Sequence, residues 1–176
     1  GRTSISCNLL PTWWRPTTYV VTKYHESAAE VLASDAQTRV FVSRHQHGNH
    51  AKARLVDMPG AIIFDHPDNP AASFDPAIHW PSSDDELVAS WSTIGSALHL
   101  AAYMGARTIL VAGADGGRRG GHLYAAPYRD MVAGNDAEND WLMPQLLAQS
   151  RAIAAELACR YGCQVLAVDP QLGPGA

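Results

Sequence analysis

Cysteine is scarce and scattered in this sequence. Cys7, Cys159 and Cys163 are the only three, and no two are spaced C-x-x-C. An odd, unpaired set excludes a disulfide scaffold and a zinc knuckle, and its default setting is a reducing cytoplasm. Long apolar runs are missing as well. No eighteen-residue apolar stretch occurs, so no transmembrane span is expected. No charged n-region leads into an apolar h-region, as a signal peptide would require. Positive charge is not in excess: thirteen Lys and Arg face seventeen Asp and Glu, for a net charge of −4. That excludes a generic nucleic-acid binder and leaves room only for a local basic patch.

Several catalytic signatures are absent too. There is no Walker A loop and no clean G-x-G-x-x-G opening a helix. Without G-x-S-x-G a serine hydrolase is not expected, and without H-E-x-x-H a zinc hydrolase is not.

What is present is a globular chain of 176 residues, 47% hydrophobic and 17% charged, the size of a single domain spanning 1–176. The chain starts at Gly1 without Met and enters an apolar run almost at once. It reads as a piece of a longer chain or as a domain without its first strand. Residues 171–176 read as a flexible tail.

Strands and helices alternate along the chain. Short β-capable runs occur at Ser4–Cys7, Thr17–Thr22, Thr38–Ser43, Ala61–Phe64, Arg107–Gly113 and Gln164–Val168. Helical periodicity marks His25–Ser34, a helix capped by Ser90 or Ser92 and closed by Gly105, and Trp141–Tyr161 closed by Gly162. The apolar run Ile109-Leu110-Val111-Ala112 predicts a central strand buried on both faces, with parallel neighbours. The proline-rich stretch 65–85 reads as a long functional surface loop. The expected fold is α/β: three layers, Rossmann-like, with a mostly parallel sheet and helices on both faces.

In such sheets ligands bind beyond the carboxyl ends of the strands. Here those ends carry Asn8, Thr22-Lys23, Ser43-Arg44-His45, Phe64-Asp65-His66, Gly113-Ala114-Asp115 and Asp169-Pro170. Polar or ionisable residues stand at every one, which favours a binding or catalytic cleft over a scaffold. The glycine-rich run from Gly113 to His122 lets backbone approach a phosphate or sugar, with Asp115 accepting hydroxyls or holding a metal. Arg118 and Arg119 could clamp an anionic group. His45, His47 and His50 lack the supporting motif of a zinc site and read as a polar loop. Ser43, Arg44 and His45 read instead as substrate contacts. Cys7 is either a nucleophile or, more commonly for its type, a buried packing residue.

Four stretches together resemble a known family. The run Ser92-Thr93 … Ala101-Ala102-Tyr103-Met104-Gly105-Ala106 … Ile109-Leu110-Val111-Ala112-Gly113-Ala114-Asp115 is similar to a helix, glycine, strand and Gly-x-Asp unit. That unit occurs in bacterial sialyltransferases of the lipooligosaccharide type, in motility accessory factors of flagellin glycosylation and in archaeal hydroxymethylpterin diphosphokinases. Ser6-Cys7-Asn8 looks like the family's nucleotide-contacting Cys-Asn strand end, and Phe41–His45 stands in the place of its second such strand end. His122-Leu123-Tyr124 resembles the polar aromatic segment after Gly-x-Asp. The chain differs in lacking the Gly-Pro-Ser loop, in placing Gly116-Gly117 after the Asp, and in having no histidine after Leu123.

The resemblance implies a nucleotide-dependent transferase, foremost a glycosyltransferase that uses a nucleotide-activated sugar and a glycan or other hydroxyl acceptor. In that reading His122 is the general base, with His45 second. Asn8, Ser43, Arg44 and Thr93 contact the nucleotide, joined by Gly113, Gly116 and Arg118, and Asp115 holds sugar or ribose hydroxyls. No cofactor is required, although Mg²⁺ is compatible. Two alternatives stay open. One is a Mg²⁺-dependent diphosphokinase acting on a pterin-like alcohol, with Asp115 and Asp65 as metal ligands. The other is a non-catalytic nucleotide- or glycan-binding module.

Overall fold

The computed structural model describes residues 3–8, 17–34, 37–45, 57–67, 78–113 and 136–168. They belong to two compact units, Gly1–Met104 and Gly105–Ala176.

In the first unit four strands form one sheet. They are β1 (Ile5–Cys7), β2 (Tyr19–Thr22), β3 (Arg39–Ser43) and β4 (Ala61–Phe64), in the order β1-β2-β3-β4. All three pairings are parallel, with Cys7 opposite Val21, Thr22 opposite Val42 and Ser43 opposite Phe64. Helix α1 (His25–Ser34) connects β2 to β3, and α2 (Thr93–Tyr103) follows β4.

Side chains alternate across the pleat, and each face collects its own apolar cluster. Val20, Val40 and Val42 pack with Ala28 and Val31 of α1, joined by Leu32, Met58, Ala61 and Ile63. Val21 and Phe64 pack with Leu100 of α2 and Leu87, joined by Ile5, Phe41 and Ala97. The single-residue offset between Val20 and Val21 thus assigns one to the α1 side and the other to the α2 side.

Helix α2 begins where its cap is chemically defined. Ser92 has extended backbone, and its side-chain oxygen accepts the N–H of Ile94 at 3.2 Å. It ends at Met104, whose N–H donates to the Leu100 carbonyl at 2.9 Å, and Gly105 follows with φ +89°. Glycine is the residue that takes this left-handed position without strain.

The proline-rich stretch is partly ordered by backbone pairing. The Asp65 N–H donates to the Asp85 carbonyl at 2.9 Å, and the Leu87 N–H donates to the Asp65 carbonyl at 2.9 Å. The chain between these strands therefore returns to the end of β4 before α2 starts. Residues 68–77 and 171–176 lie outside the described residues.

In the second unit β5 (Thr108–Val111) and β6 (Gln164–Ala167) pair in parallel, and α3 (Asp136–Tyr161) precedes β6. Ile153 and Leu157 of α3 and Cys163 are fully buried. Helix α3 starts five residues earlier than the sequence pattern implied, running through Pro144. The expectation of a central strand with two buried faces is corrected here. Among the described residues β5 pairs with β6 alone. Ile109 and Val111 are half-buried, whereas Leu110 is 69% exposed. A continuous apolar run does not by itself say how many faces are covered.

The fold is thus α/β, and every strand pairing described is parallel. Among the described residues no helix is long and apolar enough to cross a membrane.

Candidate functional site

Because β1 to β4 are parallel, their carboxyl ends lie along one edge of the sheet. At the end of β1, Asn8 adopts φ +55°, a left-handed conformation that Asn tolerates better than most residues. Its N–H donates to the Val21 carbonyl at 3.1 Å, and its Oδ1 accepts the Thr22 hydroxyl at 3.1 Å. The side chain of Asn8 is thereby tied to the end of β2. The N–H of Tyr24 donates to the same Thr22 hydroxyl at 3.1 Å, which turns the chain into α1.

Lys23 lies between these residues and is 4% exposed. Its Nζ donates to the Ser90 carbonyl, and to the Ser92 carbonyl at 3.5 Å. Ser92 is the N-cap of α2. The lysine therefore fastens the start of α2, and Thr93 with it, to the sheet edge beside β1 and β2.

The end of β3 is a hydrogen-bonded turn. Ser43 is fully buried, and its hydroxyl donates to the His45 carbonyl at 2.8 Å. The Ser43 carbonyl lies 3.0 Å from His25 Nε2, which must carry the proton, since a carbonyl only accepts. The N–H of Arg44 donates to the Phe64 carbonyl at 2.8 Å, and its Nε donates to Asp65 Oδ2 at 2.7 Å. His45 Nε2 stands 3.9 Å from Asp65 Oδ1, too far for a hydrogen bond but close enough for charge to be felt. His66 Nδ1 donates to the Leu87 carbonyl at 3.0 Å.

Electrostatics separate the two nucleophile-capable groups at this edge. Burial pushes the Cys7 thiol up to about 12, overcoming the opposing pull of the Lys23 charge. A thiol held protonated at neutral pH argues against the nucleophile reading of Cys7, which is half-buried at the end of β1. Burial also pulls the Lys23 amine down to about 7, against a smaller opposing contribution from Cys7.

The first unit brings Asn8, Ser43, Arg44, His45, Asp65 and Thr93 to the carboxyl edge or to the helix start beside it. Gly113 belongs to the second unit and has φ +73°. Asp115, Gly116, Arg118 and His122 lie outside the described residues, as do His47 and His50. Asp65, weighed as a metal ligand, has its carboxylate engaged by Arg44. Among the described residues no three His, Cys, Asp or Glu side chains are grouped to hold a metal ion. Trp80 meets buried His99 edge-on at 5.8 Å, and His99 Nδ1 accepts the Val88 N–H at 3.2 Å, so this aromatic pair belongs to the packing. Ser96 is buried and donates to the Val88 carbonyl at 3.1 Å, a structural bond with no nucleophile's surroundings.

Sequence reasoning placed Lys23 at a strand end without assigning it a role. The available signal was a lone cation directly after a β-branched strand. Its burial depends on partners at Ser90 and Ser92, far along the chain.

The fold and site together define an α/β protein with polar and charged groups gathered at the carboxyl edge of a parallel sheet. No protein-family model, curated protein or solved structure matches the chain.

Proposed function

We propose that the chain is a nucleotide-dependent transferase with a three-layer, Rossmann-like arrangement, and that its donor is a nucleotide-activated sugar. The observation that carries this reading is the convergence of Asn8, Lys23, Arg44, His45 and the first turn of α2 on one sheet edge. After β4 the chain returns, and α2 packs against β1 and β2. In parallel α/β sheets ligands bind beyond the carboxyl ends of the strands, the edge on which these groups stand.

The chemistry fits transfer to a hydroxyl acceptor. Asn8 offers an amide to nucleotide hydroxyls or base edges. The start of α2 offers the positive end of a helix dipole to phosphate. Arg44, fixed by Asp65, adds a positioned cation. Displacement at the anomeric carbon needs a base for the acceptor proton and stabilisation of the departing phosphate. His122 is the base in this proposal, with His45 beside Asp65 as the second candidate. Asp115, Gly113, Gly116 and Arg118 serve the sugar and phosphate, and a glycan or other hydroxyl compound is the acceptor. The setting proposed is cytoplasmic.

A thermal-shift panel of nucleotides and nucleotide sugars, each with and without Mg²⁺, tests the reading. Stabilisation grows with ligand excess and reaches about 2.7 kcal/mol at a hundredfold excess over Kd. Nucleotide sugars should raise the melting temperature more than free sugars do. A melting temperature unmoved by every nucleotide would reject the proposal.

A further inference from the structure

Leu87, Val88, Ala89 and Ser90 follow β4 and precede α2 in the chain, and all four are buried. Buried backbone groups need partners, and here side chains supply several of them. The Leu87 N–H donates to the Asp65 carbonyl at 2.9 Å, and the Leu87 carbonyl accepts from His66 Nδ1 at 3.0 Å. The Ala89 N–H donates to the His79 carbonyl at 2.9 Å, and the Ser90 carbonyl accepts from Lys23 Nζ. Val88 is held by two side chains of one helix. Its N–H donates to His99 Nδ1 at 3.2 Å, and its carbonyl accepts the Ser96 hydroxyl at 3.1 Å. Ser96 and His99 are three positions apart, on one face of α2.

Three titratable side chains thus hold this backbone, and they answer a proton differently. His66 and Lys23 act as donors, and a protonated donor is still a donor. His99 Nδ1 is an acceptor, which puts the proton of the neutral ring on Nε2. The next proton can go only to Nδ1, where it would face the Val88 N–H, donor against donor. The ring is 1% exposed, with Trp80 edge-on at 5.8 Å and Tyr103 at 6.4 Å, so it has little room to turn aside. Tyr103 is the titratable group beside it on α2. On the facing segment the titratable groups are His79, next to Trp80, and His66 and Lys23, bound at Leu87 and Ser90. A charged Lys23 on that segment further opposes a second buried cation.

We propose that His99 is an acid-sensitive latch. Neutral, it holds Leu87–Ser90 on α2; protonated, it lets Val88 go and loosens the stretch that returns to Asp65 at the carboxyl edge. The latch needs no ligand and is independent of the transferase reading. Once Val88 is released, His99 can take up its proton at about 6.5, the ordinary histidine value. Below that pH the open form binds one proton more than the closed form, so opening becomes easier by up to about tenfold per pH unit.

The test is amide hydrogen exchange of the intact chain by NMR, read as protection factors so that the intrinsic effect of pH divides out. Val88 protection should fall about tenfold between pH 7.5 and 5.5. At pH 5.5 Val88 should also be less protected than the amides of β2 and β3, because the segment opens while the sheet stays formed. The companion variant is His99→Asn, whose Oδ1 can take the place of Nδ1 as acceptor and does not titrate. It should keep Val88 protected and abolish the acid dependence, which separates His99 from the other histidines of the chain. The parent supplies a further check: ring ¹⁵N shifts at pH 7.5 should show His99 protonated on Nε2 and bare at Nδ1. Four results would each overturn the latch. They are Val88 protection indifferent to pH, Val88 as protected as β2 and β3 at pH 5.5, an acid loss that persists in His99→Asn, and a proton on Nδ1 at pH 7.5.

Discussion

Arg44 Nε donates to Asp65 Oδ2 at 2.7 Å, joining the residues that directly follow β3 and β4. The two side chains are 26% and 27% exposed, so the pair is neither dry nor fully screened. A double-mutant cycle over Arg44→Ala and Asp65→Ala should give a coupling of about 1 kcal/mol, at the upper end for surface pairs. Denaturant unfolding checks it. A coupling of zero would mean that the pair does not help to hold the two strand ends together.

The stability of the chain should change with pH in a direction set by Lys23 and Cys7. Below about pH 7 both folded and unfolded chains hold the lysine proton, and the folded state carries the full cost of burying it. Above about 7 the folded chain releases that proton, while the unfolded chain keeps it until near the ordinary 10.5. Stability therefore rises with pH in this window, by at most about 1.4 kcal/mol per unit. Cys7 acts in the opposite sense: above its ordinary 9.0 the unfolded thiol ionises, while the folded one holds its proton to about 12. Urea midpoints should thus climb from pH 7 to about 9 and then level or fall. Lys23→Met should remove the climb, and a climb that persists in that variant would locate it elsewhere.

Ser92→Ala removes the N-cap that accepts the Ile94 N–H at 3.2 Å. The expected loss is about 1 kcal/mol of stability. Ser92→Asp should retain most of it, because the cap oxygen and the helix dipole both accept a carboxylate there. A Ser92→Asp chain as weak as Ser92→Ala in denaturant unfolding would count against the cap.

Gly105→Ala tests the end of the same helix. A Cβ at this position would meet no atom within 4 Å, so the effect is one of backbone conformation alone. With φ at +89°, alanine should lose about 1 kcal/mol or somewhat more. An unchanged melting temperature would show that the helix end relaxes at no cost.

Much of the local structure was legible from pattern. Helix α1 spans His25–Ser34, and β4 spans Ala61–Phe64, with the same bounds that periodicity and β-branching imply. Ser92 and Gly105 close α2 as their chemistry predicts. The illegible parts depend on distant residues. A lysine after a strand ordinarily reads as solvated, and only the Ser90 carbonyl, 67 positions away, shows Lys23 to be buried. Asp65 reads as a free carboxylate until Arg44, 21 positions before it, is seen to engage it. The coverage of β5 was misjudged because an apolar run looks alike with one face covered or two.

Nucleotide binding at the carboxyl edge of β1 to β4 is tested most directly by hydrogen–deuterium exchange. The intact chain is compared with and without the nucleotide sugar that shifts its melting temperature most. Binding at this edge predicts added protection at residues 7–8, 23–24, 43–45 and 90–95, where the strand ends and the start of α2 supply the contacts. Saturating ligand that leaves the exchange of those segments unchanged would contradict it.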